Sequence, residues 1–276
     1  MLDRYLASLG RGLIYGLIII WSAVPILFIV VSSIMPAQLV FRFPPTLMFT
    51  PTLEHYFTLW RQWEGFFPAL SNSLIVAAAA TLFSALVSFL AGYAYSRYAS
   101  RWLASTALYL IAIRMLPPIV VTLPLFPLAD YLGMNDTHLV LIVLYSAFWV
   151  SLFTMIMKTF IDEVPDELDE AALMDGASRL QTLFRVILPL TLQGMVAGGL
   201  FVFVYSWNEF LFALIFVSQK AQTAPLLISQ VMGGVDGTEW GVLFAGVTVQ
   251  FLPVIALVVI LQRYLVAGLT AGAVKG

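Results

Sequence analysis

Residues 12–34 read GLIYGLIIIWSAVPILFIVVSSI, and no Asp, Glu, Lys or Arg occurs between Arg11 and Arg42. A helix needs roughly 20 residues to cross about 30 Å of hydrocarbon, and this run supplies them. The intervals Glu64 to Arg97, Asp136 to Lys158, Arg185 to Glu209 and Glu239 to Arg263 are also free of charge, and Arg101 to Asp130 holds only Arg114. The spacing predicts an all-α membrane protein with six spans near 12–34, 70–95, 103–128, 138–160, 191–217 and 241–263. The first span is too long for the core of a cleaved signal peptide and is expected to be retained.

Composition agrees. The chain has 276 residues, 61% of them hydrophobic and 10% charged, whereas a soluble domain carries about 25% charged residues. A soluble fold and a disordered chain are both excluded. The formal net charge of -2 offers no electrostatic footprint for nucleic acid. With no cysteine there is no disulfide framework or thiolate metal site. His55 and His138 stand alone in sequence, so no metal site is expected. The whole chain, 1–276, reads as one transmembrane domain.

The distribution of Lys and Arg sets the expected orientation. With the N-terminus inside, Arg4, Arg11, Arg97, Arg101, Lys158, Arg179, Arg185, Arg263 and Lys275 fall on the inner side. Arg42, Arg61 and Lys220 fall outside. Six spans then return the C-terminus to the cytoplasm.

The inner segment 161–189 is the polar outlier, with seven of the 15 acidic residues between Asp162 and Asp175. Pro165 suits a first helical position, and acids in a first turn favour the positive end of the helix dipole. Val164, Leu168, Ala171, Ala172 and Asp175 follow helical spacing, Gly176 breaks the pattern, and a second short helix fits Ser178 to Leu188. Two readings fit: a solvated acidic loop, or a docking element whose small residues allow close approach of another protein.

Inside the spans, Arg114 precedes Met115-Leu116-Pro117-Pro118. A mid-span charge beside two prolines reads either as a kinked cavity wall or gate, or as a structural kink. Trp207, Asn208 and Glu209 read either as a sugar-facing aromatic and polar group or as residues at the headgroup interface. Ser84, Ser88 and Gly92, and separately Gly194 and Gly198, form small-residue ridges that let helix backbones approach. Lys158-Thr159, the one Lys-Thr pair, is preceded by Phe153–Met157 without glycine, so this chain lacks a phosphate-cradling P-loop.

Glu170-Ala171-Ala172, Gly176, Val186 and Leu188-Pro189, in this spacing, resemble the EAA loop of ABC importer permeases; Val186 stands where that family usually has Ile. Leu123-Pro124-Leu125-Phe126 with Leu132-Gly133-Met134, Trp207-Asn208-Glu209-Phe210, and the tail Gly268–Gly276 resemble its carbohydrate-importer, maltose-type members. The resemblance implies a type I importer permease fold with a cytoplasmic coupling helix, in a bacterial cytoplasmic membrane. It implies a non-catalytic subunit with no cofactor of its own. Its partners would be a second permease, two ABC ATPases that carry ATP and Mg, and an extracytoplasmic sugar-binding protein. It assigns ATPase coupling to Glu170, Ala171, Ala172, Asp175, Gly176, Lys275 and Gly276. It assigns binding-protein contact to Gly233, Gly234, Asp236 and Trp240. The substrate pathway would include Arg114, Trp207, Asn208 and Glu209. The alternative is a self-contained secondary transporter, which needs intramembrane acids at broken helices.

Overall fold

A computed structural model describes residues 2–46, 48–233 and 238–273. Gly234, Asp236, Lys275 and Gly276 lie outside the described residues. All regular structure among those described is helical. Four helices are long and apolar enough to cross a membrane: Gly10–Ser33 within α1 (Leu2–Ser33), α3 (Phe66–Arg97), α6 (His138–Asp162) and Trp240–Gln262 within α13 (Trp240–Ala273). The number rises to six if each of two bent helix pairs forms one span.

The expected third span, 103–128, is two helices. α4 (Arg101–Ile113) and α5 (Pro118–Tyr131) meet at 100° across Arg114–Pro117. Pro117 lacks an N–H and disfavours helical backbone at the residue before it, so the helix cannot run through. The chain also turns by 79° between residues Arg179–Leu190 and α10 (Leu192–Trp207). The fifth expected span, 191–217, divides at Asn208–Phe210 into α10 and a short α11 (Leu211–Phe216).

The chain forms two compact units. The first holds Met1–Pro68 and Leu227–Leu252. Here α2 (Glu54–Gln62) is tied to the segment after α1. His55 Nε2 lies 2.8 Å from the Met35 carbonyl, and the Ser33 and Tyr56 hydroxyls are 2.7 Å apart. Phe41 meets Trp240 edge-on at 4.9 Å.

The second unit holds Ala69–Leu226 and Pro253–Gly276. Its core gathers on α6, whose Tyr145, Phe153, Met157 and Ile161 are fully buried. The small-residue ridges explain why. On α3, Ser84 and Ser88 are fully buried, and Ser88 Oγ donates to the Val150 carbonyl at 3.1 Å. A side chain at Gly92 would press on Met157, one at Gly194 on Phe160, and one at Gly198 on the Phe153 ring. Both ridges are close-approach faces, as expected, and the helix they meet is α6, whose large side chains a Cβ at these glycines would strike.

Candidate functional site

The acidic loop leaves α6 through Glu163–Asp166 and forms α7 (Glu167–Met174), with Asp166 as N-cap. Pro165, expected at the first helical position, instead lies one residue before the N-cap, and its carbonyl accepts from the Leu168 N–H at 3.2 Å. At its other end the Gly176 N–H donates to the Leu173 carbonyl at 3.1 Å and the Ala177 N–H to the Ala172 carbonyl at 3.0 Å. This pair of bonds is a Schellman ending, which requires left-handed backbone, and Gly176 has φ of 84°. Two residues later Ser178 opens α8 (Arg179–Thr182) with a capping box. Its hydroxyl accepts from the Gln181 N–H at 3.3 Å, and the Gln181 side chain accepts from the Ser178 N–H at 2.8 Å. A π-turn over Leu183–Ile187 and the single turn α9 (Leu188–Leu190) complete the loop. The second helix expected over 178–188 is thus three short pieces.

The loop's exposed surface carries the residues of the motif. Glu170, Ala171, Asp175 and Gly176 are exposed and Ala172 is half-buried. Apolar side chains join them: Leu168, Leu173, Leu180 and, at 87% exposure, Met174. Asp169, which the sequence did not single out, is the buried residue of α7. Its carboxylate accepts from Arg97 Nε at 2.9 Å and from the Tyr93 hydroxyl at 2.7 Å. Sequence separation hides this contact, since Asp169 lies 72 positions after Arg97.

The proposed pathway residues divide. Arg114 caps the end of α4, with its guanidinium 5.3 Å from the Trp149 ring and 6.0 Å from Phe148. Its Nη1 is buried without a hydrogen-bond acceptor, and a cavity of about 100 Å³ beside it is lined by Val121, Leu125, Leu144, Phe148 and Phe212. Glu209 lies at the break before α11, where its carboxylate accepts from the backbone N–H of Phe212 at 3.0 Å and of Ala213 at 3.4 Å. Among the described residues Arg114 and Glu209 form no ion pair. Asn208 is exposed and donates to the Val204 carbonyl at 2.8 Å.

Trp207 does not share that exposed side. It is 1% exposed, stacked on Phe203 at 5.8 Å and packed with Ala77, Val254 and Leu257. The exposed face of α10 is instead Phe201, Tyr205 and Asn208, at helical spacing. Tyr205 lies 4.5 Å from both Phe201 and Trp149. α10 is apolar on nearly every side, so its hydrophobic pattern does not distinguish inside from outside.

At the other end of α6 a second polar cluster forms. Asp136 adopts φ of 58°, a conformation Asp tolerates better than most residues. Its carboxylate accepts backbone N–H bonds from Ser218, Gln219, Lys220 and Ala221 at 2.9–3.3 Å. Burial pushes its pKa up, but these four bonds outweigh burial and hold it at about 2. Asn72 donates to the Lys220 and Gln222 carbonyls, and its own oxygen lies 2.8 Å from His138 Nε2. Of the expected binding-protein contacts, Gly233 ends α12 (Ala224–Met232) and Trp240 is 40% exposed at the start of α13.

Comparison with known proteins places the chain among transport permeases by sequence and matches its fold to a solved transporter. It is 35% identical over 234 residues to the trehalose/maltose transport system permease protein MalG of Thermococcus litoralis, covering 84% of each chain. It is 35% identical to the trehalose transport system permease protein SugB of Mycobacterium tuberculosis, covering 94% of this chain and 95% of the relative. Among solved structures, a bacterial ABC transporter involved in import of the acidic polysaccharide alginate superposes with a TM-score of 0.76 at 18% identity, over 95% of this chain and 97% of the other. The profile of the binding-protein-dependent transport system inner membrane component family matches residues 84–271. With α7, its Gly176 ending and the α6-centred helix packing all inside that matched region, the chain belongs to this family of inner membrane transport components.

Proposed function

We propose that this chain is the permease subunit of an ATP-driven ABC importer that moves a carbohydrate across a bacterial cytoplasmic membrane by alternating access. Both termini lie in the cytoplasm, and six spans result if each broken helix pair crosses once. A second permease completes the pore, two ABC ATPases hydrolyse ATP, and an extracytoplasmic binding protein delivers the sugar near Gly233–Trp240. The carbohydrate class rests on the sugar-transport names of the relatives. The chain itself performs no chemistry.

The observation that carries this reading is the surface of α7. A short helix with fixed ends presents Glu170, Leu173 and Met174 outward instead of burying its leucines. An exposed apolar patch with charges at its edge marks a protein contact. We assign that contact to an ATPase, with Glu170, Ala171, Ala172, Asp175 and Gly176 as the coupling set and Lys275 and Gly276 as additional contacts. Closure of the ATPases then pulls on α7 and reorients the helices packed on α6.

On the pathway side, rings and a side-chain amide on one helix face fit a sugar, whose C–H face stacks while its hydroxyls bond. We place Phe201, Tyr205 and Asn208 on that face, with Arg114 beside its aromatic neighbours, while Trp207 supports it from within and Glu209 holds the helix break. Radiolabelled maltose or trehalose, with the chain's neighbouring transport genes co-expressed, provides the probe. Glu170→Lys and Gly176→Pro are expected to abolish uptake and ATPase co-purification while leaving the chain in the membrane. Tyr205→Ala is expected to lower uptake with ATPase co-purification intact. Uptake at the original level in both coupling variants overturns the coupling assignment.

A further inference from the structure

α7 is held to the rest of its unit in an unusual way. A short helix that packs on a protein normally does so through an apolar face, yet Asp169 is the buried residue of α7, and Leu168 and Leu173 are 40% and 43% exposed. The groups that meet Asp169 come from the last turn of α3. Arg97 side-chain exposure is 9% and that of Asp169 is 11%. Arg97 Nε donates to Asp169 Oδ2 at 2.9 Å, and the Tyr93 hydroxyl donates to Asp169 Oδ1 at 2.7 Å. Both oxygens of Asp169 are therefore engaged by one helix.

The remaining nitrogens of Arg97 reach every other part of the connection. Nη1 lies 2.8 Å from Asp166 Oδ1 and donates to the Ile161 carbonyl at 3.3 Å. Nη2 donates to the Val164 carbonyl at 2.8 Å. One guanidinium thus bonds the end of α6, the linker, the N-cap of α7 and the buried residue of α7. A planar fork of donors fixes direction as well as distance. Apolar burial is non-directional, whereas this set of bonds restrains both rotation and translation of α7 against α3.

We infer that Arg97 is a positioning residue that transmits movement of α7 to α3, with Asp169 and Tyr93 as its grip on the loop. The inference rests on the reading of α7 as the ATPase-docking element. Without Arg97, the Tyr93–Asp169 bond is left as the side-chain hydrogen bond between α3 and α7, so an ATPase would move the loop more than the span.

The chain has no cysteine, so paired spin labels can be placed at Glu167→Cys, an exposed position in the first turn of α7 outside the coupling set, and at Leu82→Cys on α3, which is 72% exposed. The sample is the complete importer in nanodiscs, nucleotide-free or trapped with Mg-ATP and vanadate. With Arg97 present, one narrow distance peak is expected in both states. In Arg97→Gln the peak should broaden or shift on trapping, while ATPase co-purification and Mg-ATP hydrolysis persist. Arg97→Lys, which keeps length and charge but loses the planar fork of donors, should still let the peak broaden or shift on trapping, an outcome that a purely space-filling role would not give. A narrow, unmoved peak in Arg97→Gln overturns the inference. If that variant fails to accumulate, Asp169→Asn reads the same distances, and an unmoved peak there overturns it equally. Failure of the underlying reading looks different, because the ATPase would then be missing from the wild-type complex.

Discussion

Single residues account for the two ends of α6. At one end, four backbone N–H groups converge on the Asp136 carboxylate. Its folded-state pKa of about 2 lies below the ordinary 3.8, so its stabilising effect is full above 3.8 and is lost as pH falls toward 2. Asp136→Asn at neutral pH removes the charge from these bonds, and a hydrogen bond to a charged group contributes about 1.5–3 kcal/mol. Hydrogen exchange at residues 218–221 is expected to speed up by about tenfold or more; unchanged exchange would remove Asp136 from this role. Neither Asp136 nor Arg97 stands out in the sequence, because their partners lie 82 and 72 residues away. Gly176 does stand out, since a glycine after a helical run has a local reason to be there, and its φ of 84° bears that reason out. The direction of Trp207 is illegible for the opposite reason: every side of α10 is apolar, and burial is decided by which neighbour each side meets.

At the level of elements, charge gaps locate four long helices to within a few residues, because a bilayer-crossing helix needs one continuous apolar run. The breaks are legible only as places. Pro117 and Pro118 mark the interruption after Arg114, but the 100° angle follows from packing on other helices. The ridges on α3 and α10 are legible as close-approach faces, and α6 as their common partner is not. They give a contrast between neighbours. A Cβ at Gly198 meets the Phe153 ring, whereas one at Gly199 meets Thr81 Cγ2 at an ordinary 3.6 Å. Overpacking costs about 1–3 kcal/mol, so Gly198→Ala should lower the thermal midpoint of the purified complex and Gly199→Ala should not. Equal midpoints would show that α10 and α6 are not packed at this ridge.

For the whole molecule, the sequence holds no glycine-rich phosphate loop and the structure holds a short helix, α7, with an exposed apolar and charged face. Under the proposed function these features belong to a subunit whose energy source is another chain. In that proposal the helices packed on α6 are the body that moves, and α7, bonded to α3 through Arg97, is its handle. The most direct measurement is chemical capture. Met174→Cys introduces a single thiol at a position of α7 that is 87% exposed, and a short bifunctional reagent then links it to whatever protein sits against the helix in native membranes. We expect the captured protein to be an ABC ATPase, and capture to fail in the Glu170→Lys background. Labelling of that thiol by a membrane-impermeant reagent added outside intact cells, with no ATPase captured, would contradict the assignment.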